Sequence, residues 1–164
     1  MEVIRDARPE ELEDVARLSV AAYREFAPAV GDDTWARMER NLSRFGGDSP
    51  DAVTVVAELD GRLVGTVEYL RPGGKRQGLV QAVPEAEACI GRLGVDPGYR
   101  GRGIGRALTE ECIRRARADG ATTIGLATRD AMVAARSMYE SMGFRYVRTA
   151  ERGGSIYLTY LLDL

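Results

Sequence analysis

The chain has 164 residues, 45% hydrophobic and 29% charged, with 23 basic against 25 acidic side chains for a net charge of −2. That balance fits one globular domain and argues against a disordered chain or a strongly basic, nonspecific nucleic-acid binder. Histidine is absent, which excludes a Ser–His–Asp or Cys–His centre and any histidine-ligated metal, and removes the commonest general base.

Residues 3–7 read as a short first strand. Pro9 suits the first turn of a helix, and Glu10 and Glu11 favour its positive end. Leu12, Val15, Ala16, Ser19, Ala22, Tyr23 and Phe26 follow at helical spacing, until Pro28 and Gly31 interrupt. Asp32 or Asp33 is placed to cap a second helix, with Trp35, Met38, Leu42 and Phe45 on its apolar face and Gly46, Gly47 and Pro50 ending it. Residues 53–59 and 62–70 are Val-rich runs around Asp60-Gly61, a pair that makes a tight hairpin because both positions take positive φ. Residues 71–84 are loop-like, with Leu79, Val80 and Val83 suited to a short irregular element. Residues 89–95 form a strand stopped by Asp96, Pro97 and Gly98. A helix follows over 104–118, then Gly120, a strand over 123–128 and a helix over 131–142 ended by Gly143. Residues 144–150 and 156–162 are final strands around Arg152-Gly153-Gly154. The order predicts an α/β domain over 1–164 with a single mixed, partly antiparallel sheet flanked by helices, its central strand–helix–strand unit a right-handed parallel crossover.

Cys89 and Cys112 fit neither a redox pair nor a zinc site and read as buried free thiols of a reducing compartment. Residues 1–10 lack the apolar core of a signal peptide, and no run of about 20 apolar residues is present to span a bilayer. A cytoplasmic protein without membrane or nucleic-acid partners is expected.

The chemistry concentrates where a strand ends, a turn carries three alternating glycines and a helix begins, from Leu93-Gly94-Val95 to Gly101-Arg102-Gly103-Ile104-Gly105-Arg106. Such a turn aims backbone N–H groups into one concavity, and the helix end adds unpaired donors and partial positive charge, so it suits a phosphate. Arg100, Arg102 and Arg106 are placed to add charge or to position the loop. A dinucleotide fingerprint counted from Gly101 needs glycine where Arg106 stands. A Walker loop counted from Gly98 needs Lys and a hydroxyl where Ile104 and Gly105 stand. A glycine-rich turn without a ligand is the plain structural alternative.

Arg100-Gly101-Arg102-Gly103-Ile104-Gly105 matches the Q/R-x-x-G-x-G/A signature of the GCN5-related N-acetyltransferase (GNAT) superfamily, and the preceding Arg92-Leu93-Gly94-Val95-Asp96-Pro97 looks like that family's fourth strand. Ala135-Arg136-Ser137-Met138-Tyr139-Glu140-Ser141-Met142-Gly143-Phe144 resembles its A-x-x-L-Y-x-x-x-G-F motif. The resemblance implies an acyl-CoA acyltransferase that moves acetyl from acetyl-CoA to a primary amine by direct attack in a ternary complex. It implies that amides from Gly101, Arg102, Gly103, Ile104, Gly105 and Arg106 bind the pyrophosphate, and that Leu93, Gly94 and Val95 present backbone to the pantetheine arm and thioester. It makes Tyr139 the general acid, which is chemically reasonable: the thiol leaving group has a pKa of about 8.5 and a phenol about 10.

Two positions depart from the family pattern. Cys89 stands where many relatives have the Glu that accepts the amine's proton, which leaves Glu87, two residues earlier, or Glu68 on the third strand as base. Met132 stands where relatives often carry a coenzyme-contacting Asn. A noncatalytic acyl-CoA-binding or sensor domain is the alternative reading. The acceptor is expected to be an amine-bearing small molecule, peptide or protein, bound by residues within 20–50 and 71–87, with Trp35, Tyr23 and Phe26 read either as pocket lining or as core. The last strand is placed either to pair across a homodimer or to lie inside the monomer's sheet.

Overall fold

Runs rich in β-branched and aromatic residues, several of them buried on both faces, form seven strands: β1 (Glu2–Asp6), β2 (Ala52–Leu59), β3 (Arg62–Leu70), β4 (Ala88–Val95), β5 (Thr123–Thr128), β6 (Arg145–Arg152) and β7 (Ser155–Asp163). The computed structural model describes residues 2–44, 51–75, 81–152 and 154–164. The strands form one sheet in the order β1-β2-β3-β4-β5-β7-β6, so the expected mixed α/β fold is present. Every neighbouring pair is antiparallel except β4 and β5, which are parallel. Asp60 and Gly61 take φ of 50° and 83° and make the predicted hairpin.

The helices are α1 (Leu12–Tyr23), α2 (Ala27–Val30), α3 (Asp32–Leu42), α4 (Ile104–Ala118) and α5 (Val133–Ser141). A Cβ on Gly65 would strike Ile104 and Leu108 of α4, whereas one on Gly94 would meet Ala22 of α1 at 3.0 Å. Gly65 pairs with Val95, the residue next to Gly94, so α4 and α1 lie on opposite faces of the sheet. The α4 face carries the larger core, in which Leu108, Cys112, Tyr69, Ile90, Leu126, Tyr139 and Tyr160 pack together. Truncating a fully buried residue such as Leu108 to Ala costs about 2–5 kcal/mol.

Several expectations are corrected. Pro28 lies within α2, in its first turn, where a missing N–H is harmless, and it is Gly31, at φ 86°, that ends α2. Gly31 also occupies the N-cap of α3, with no side-chain cap bond; Asp32 and Asp33 instead sit in the first turn, facing its positive end. The last helix begins only at Val133. β7 lies between β5 and β6 with both ladders filled, so it has no free edge to offer a second copy. Both cysteines are buried and free. Phe45, Gly46, Gly47, Pro50, Leu79, Val80 and Gly153 lie outside the described residues. Among the described residues no helix is long and apolar enough to cross a membrane.

Two ion-pair networks fasten the first strand. Arg5 forks onto Glu11 at 2.9 and 2.8 Å and reaches Glu58 at 2.5 Å, joining β1, the turn before α1 and β2. Arg115 of α4 holds Asp6 at 2.6 Å and Glu111 at 2.8 Å. Arg114 and Arg115 both pair with Glu111, at 2.7 and 2.8 Å, as neighbours on a charged helix surface.

Hydrogen bonding to Arg5 holds the Glu11 carboxyl at about 2, below its ordinary 4.5, and Arg114 does the same for Glu111. Because both folded-state values are depressed, their stabilisation is complete above about 4.5 and is lost as the pH falls towards 2. Thermal unfolding followed across that acid range should show a falling Tm, and Glu11→Gln should lower Tm at neutral pH while flattening the acid slope. An unchanged slope in the variant would show that the Arg5 network is not the acid-sensitive element.

Candidate active site

The parallel ladder between β4 and β5 is only two residue pairs long, Ala88 with Ile124 and Cys89 with Gly125. Beyond it β4 follows β3 as far as Gly65–Val95, and β5 follows β7 as far as Thr128–Leu158. The two strands therefore separate and leave a wedge lined by backbone. A bulge shapes its β4 wall: Gly91 and Gly94 oppose Glu68 and Thr66, so Arg92 and Leu93 together oppose the single residue Val67. Arg92 takes φ of 52° there, a left-handed conformation that costs a non-glycine residue about 1–2 kcal/mol.

Two phenols approach this wedge from opposite faces. Tyr23, the last residue of α1, donates its hydroxyl to the Leu93 carbonyl at 2.5 Å. Burial pushes its pKa up to about 12, against the pull of the Arg92 and Arg129 guanidiniums. Tyr139, on α5, is 5% exposed and packs edge-on to Phe144 at 5.6 Å between centroids. Burial raises its pKa above the usual phenol range, and the nearby Tyr23 hydroxyl and Cys112 thiol raise it further. Among the described residues nothing hydrogen-bonds the Tyr139 hydroxyl, which leaves the proton available to a ligand.

The glycine turn leads from the same β4 end. Asp96 accepts the Gly98 amide at 2.9 Å and starts a tight 3₁₀ turn over Pro97–Tyr99. Gly101 and Gly103 take φ of 76° and 78°, and Gly103 is the N-cap of α4 with no side-chain cap bond. The first bond within α4 runs from the Ala107 amide to the Gly103 carbonyl, so the amides of Ile104, Gly105 and Arg106 precede any helical partner. This set of outward N–H donors at the start of a 15-residue helix fits a pyrophosphate.

The arginine side chains are used differently from their amides. Arg100 pairs with Glu25 and donates to the Ala22 carbonyl at 2.7 Å, Arg102 lies 5.1 Å from the Tyr99 ring centroid, and Arg106 reaches Ser141 at 3.2 Å. All three fasten the loop to its surroundings.

The wedge gathers Leu93, Gly94, Val95 and Tyr139, but not Glu87. β4 begins at Ala88, so Glu87 stands beyond the closed end of the β4–β5 pair, where it binds the Thr122 amide at 2.9 Å and hydroxyl at 2.7 Å. The Thr122 amide bond pulls its pKa down, a setting for a capping carboxylate and not for a base in the wedge. Glu68 lies on the α1 face with Arg92 3.4 Å away. Cys89 is fully buried, and Met132 packs with Met38 and Leu42 of α3 beside Trp35. Arg136 pairs with Asp130 at 2.9 Å. Sequence reasoning left Tyr23 among core or pocket residues and missed the bulge, since Arg92 carries none of the Gly or Asn signals of a left-handed position.

A family model described as the acetyltransferase (GNAT) family matches residues 12–144. The chain belongs to this GNAT family. It is 36% identical over 125 residues to the N-alpha-acetyltransferase RimI of Mycobacterium tuberculosis, a match spanning 75% of this chain and 69% of that protein. It is 32% identical over 102 residues to the N-acetylaspartate synthetase of Xenopus tropicalis, across 62% of this chain but 34% of the relative. Among solved structures, the PaiA N-acetyltransferase of Thermoplasma acidophilum in complex with coenzyme A has a TM-score of 0.69 at 18% identity, covering 97% of this chain and 98% of that one. The ribosomal-protein-S18-alanine N-acetyltransferase of Escherichia coli gives the same score and identity over 99% of this chain and 94% of that one. The GNAT protein is thus an N-acetyltransferase with acetyl-CoA as its cosubstrate, and the donor set at Gly101–Gly103 and the start of α4 is of the kind its pyrophosphate requires.

Gly103→Ala tests the cradle. A Cβ there meets nothing within 4 Å, so the cost is the left-handed φ alone, about 1–2 kcal/mol. Calorimetry should show acetyl-CoA binding weakened at least tenfold, with Tm lowered by only about 2–8 °C. Unchanged affinity would remove the left-handed turn from coenzyme recognition.

Proposed function

We propose that this enzyme acetylates a primary amine by direct attack on acetyl-CoA in a ternary complex. The observation that carries the reading is the convergence, at one wedge in the sheet, of unpaired helix-end amides and a buried phenol with a free hydroxyl. The amides of residues 101–106 hold the pyrophosphate, and the backbone of Leu93, Gly94 and Val95 lies along the pantetheine arm. Bulged backbone at the wedge supplies hydrogen bonds to the thioester oxygen as charge develops on it.

Tyr139 is the acid. Its raised pKa keeps the proton on oxygen throughout the neutral range, so the hydroxyl is always able to donate a hydrogen bond to the departing thiolate, which stabilises the charge before the proton follows. Tyr23 holds the Leu93 carbonyl and so fixes the wall against which the thioester lies. The amine arrives on the α1 face, where the carboxylate set by strand register is Glu68, not Glu87; its proton passes to water shared with Glu68. Relatives named for an N-alpha amine and for N-acetylaspartate support an amine acceptor, whether small molecule or peptide.

Calorimetric titration with acetyl-CoA, with ATP and NAD as controls, should show selective binding, and amine panels should release coenzyme thiol. Tyr139→Phe should lower kcat by about 10²–10⁴-fold while acetyl-CoA affinity stays within about threefold. The wild-type kcat profile should show no falling limb from Tyr139 between pH 7 and about 10, because a raised pKa preserves the acid form below it. Full turnover in Tyr139→Phe would take the acid role away from this residue.

A further inference from the structure

Strand register carries one face of the sheet across the wedge. Thr66 opposes Gly94, Glu68 opposes Gly91, Leu70 opposes Cys89, Cys89 pairs with Gly125, and Ala127 opposes Thr159. Side chains alternate along each strand, so Glu68, Leu70, Cys89, Ala127, Tyr157 and Thr159 belong to the α1 face, on which Gly94 meets Ala22. Leu70, Cys89, Leu161 and Ala127 pack together there as the alternation requires.

Two arginines stand on either side of the wedge on this face. Arg92 rises from the β4 bulge, with Nε 3.4 Å from Glu68 and a further bond to the Arg44 carbonyl at the end of α3. Arg129 is the first residue after β5. Its guanidinium lies 4.7 Å from the Tyr157 ring centroid and donates to the Tyr157 hydroxyl at 2.9 Å, which fixes its plane. The rest of its fork has no partner among the described residues. Both guanidiniums act electrostatically on the Tyr23 hydroxyl, which sits on the Leu93 carbonyl. They therefore flank the point at which the amine must arrive. Glu68 is paired with Arg92, and the nearby Asp130 with Arg136, so the Arg129 charge is the one left uncompensated among these groups. A purely cationic amine meets repulsion here. An acceptor that also carries a carboxylate meets a match.

We infer that the acceptor is an amine bearing a carboxylate on the same small skeleton, an amino acid or close analogue, whose carboxylate is held by Arg129 together with Arg92. A planar guanidinium offers two parallel N–H donors to a carboxylate, and one locked over an aromatic ring loses little freedom on binding it. The inference rests on the acetyl-CoA reading above and assigns its substrate class.

The test is steady-state thiol release from acetyl-CoA with matched pairs, each proteinogenic amino acid against its α-amide. At least one acid should exceed its amide in kcat/KM by about tenfold or more, since a site built around a polar group discriminates against its absence. Arg129→Gln and Arg92→Gln should each collapse that ratio towards one, chiefly through KM for the acid, and Arg129→Lys should restore it only in part. Arg129→Gln carries the test if loss of the Arg92 strut unsettles α3. The assignment is overturned if amides or alkylamines are preferred, if the ratio survives both Gln variants, or if no carboxylate-bearing amine is acetylated by protein that binds acetyl-CoA. Loss of acetyl-CoA binding itself would instead overturn the reading on which the inference rests.

Discussion

Everything at the site depends on a conflict of strand loyalties. β4 is committed to β3 along most of its length and β5 to β7, and the two have only the Ala88–Ile124 and Cys89–Gly125 pairs in common. A longer parallel ladder would close the wedge and pair off the backbone that lines it. The strands are held apart by antiparallel pairing on their outer sides, which is the stronger arrangement. The opening is therefore a property of the whole sheet order and not of any residue that borders it.

The wedge also explains how groups from opposite layers meet. In a closed sheet Tyr23 on the α1 side and Tyr139 on the α5 side would be screened from each other by backbone. Here they are close enough for one hydroxyl to raise the pKa of the other. The bulge at Arg92 and Leu93 adds local strain of about 1–2 kcal/mol. Offsetting it are the Tyr23 bond to the Leu93 carbonyl and the contacts of Arg92 with Glu68 and the Arg44 carbonyl.

Much of this was legible in the residues. Asp60-Gly61 announced its hairpin because few other pairs accept two positive φ values, and the alternating glycines announced a strand-to-helix turn for the same reason. The main helices and strands followed from apolar spacing, with errors at their ends, while the short α2 around Pro28 and the bulge inside β4 were missed. Glu87 was misplaced because a one-residue question, where β4 begins, decides whether that side chain belongs to the strand or to the cap of Thr122. Arg92 and Arg129 were illegible as a pair: they lie 37 positions apart in the chain, on strands that part before reaching them, and only register unites them. The acceptor side was expected from residues 20–50 and 71–87; the inferred carboxylate-binding arginines lie outside both stretches, on or beside the strands.

Arg100 links the coenzyme turn to the far end of α1, through Glu25 and the Ala22 carbonyl. One residue beyond Ala22 is Tyr23, which touches the wedge wall. The glycine turn and the wedge wall are thus fastened to the same end of α1. If a ligand on the turn alters, through α1, how tightly the wedge holds a second ligand, thermodynamic reciprocity requires the second ligand to alter the affinity of the turn by the same factor.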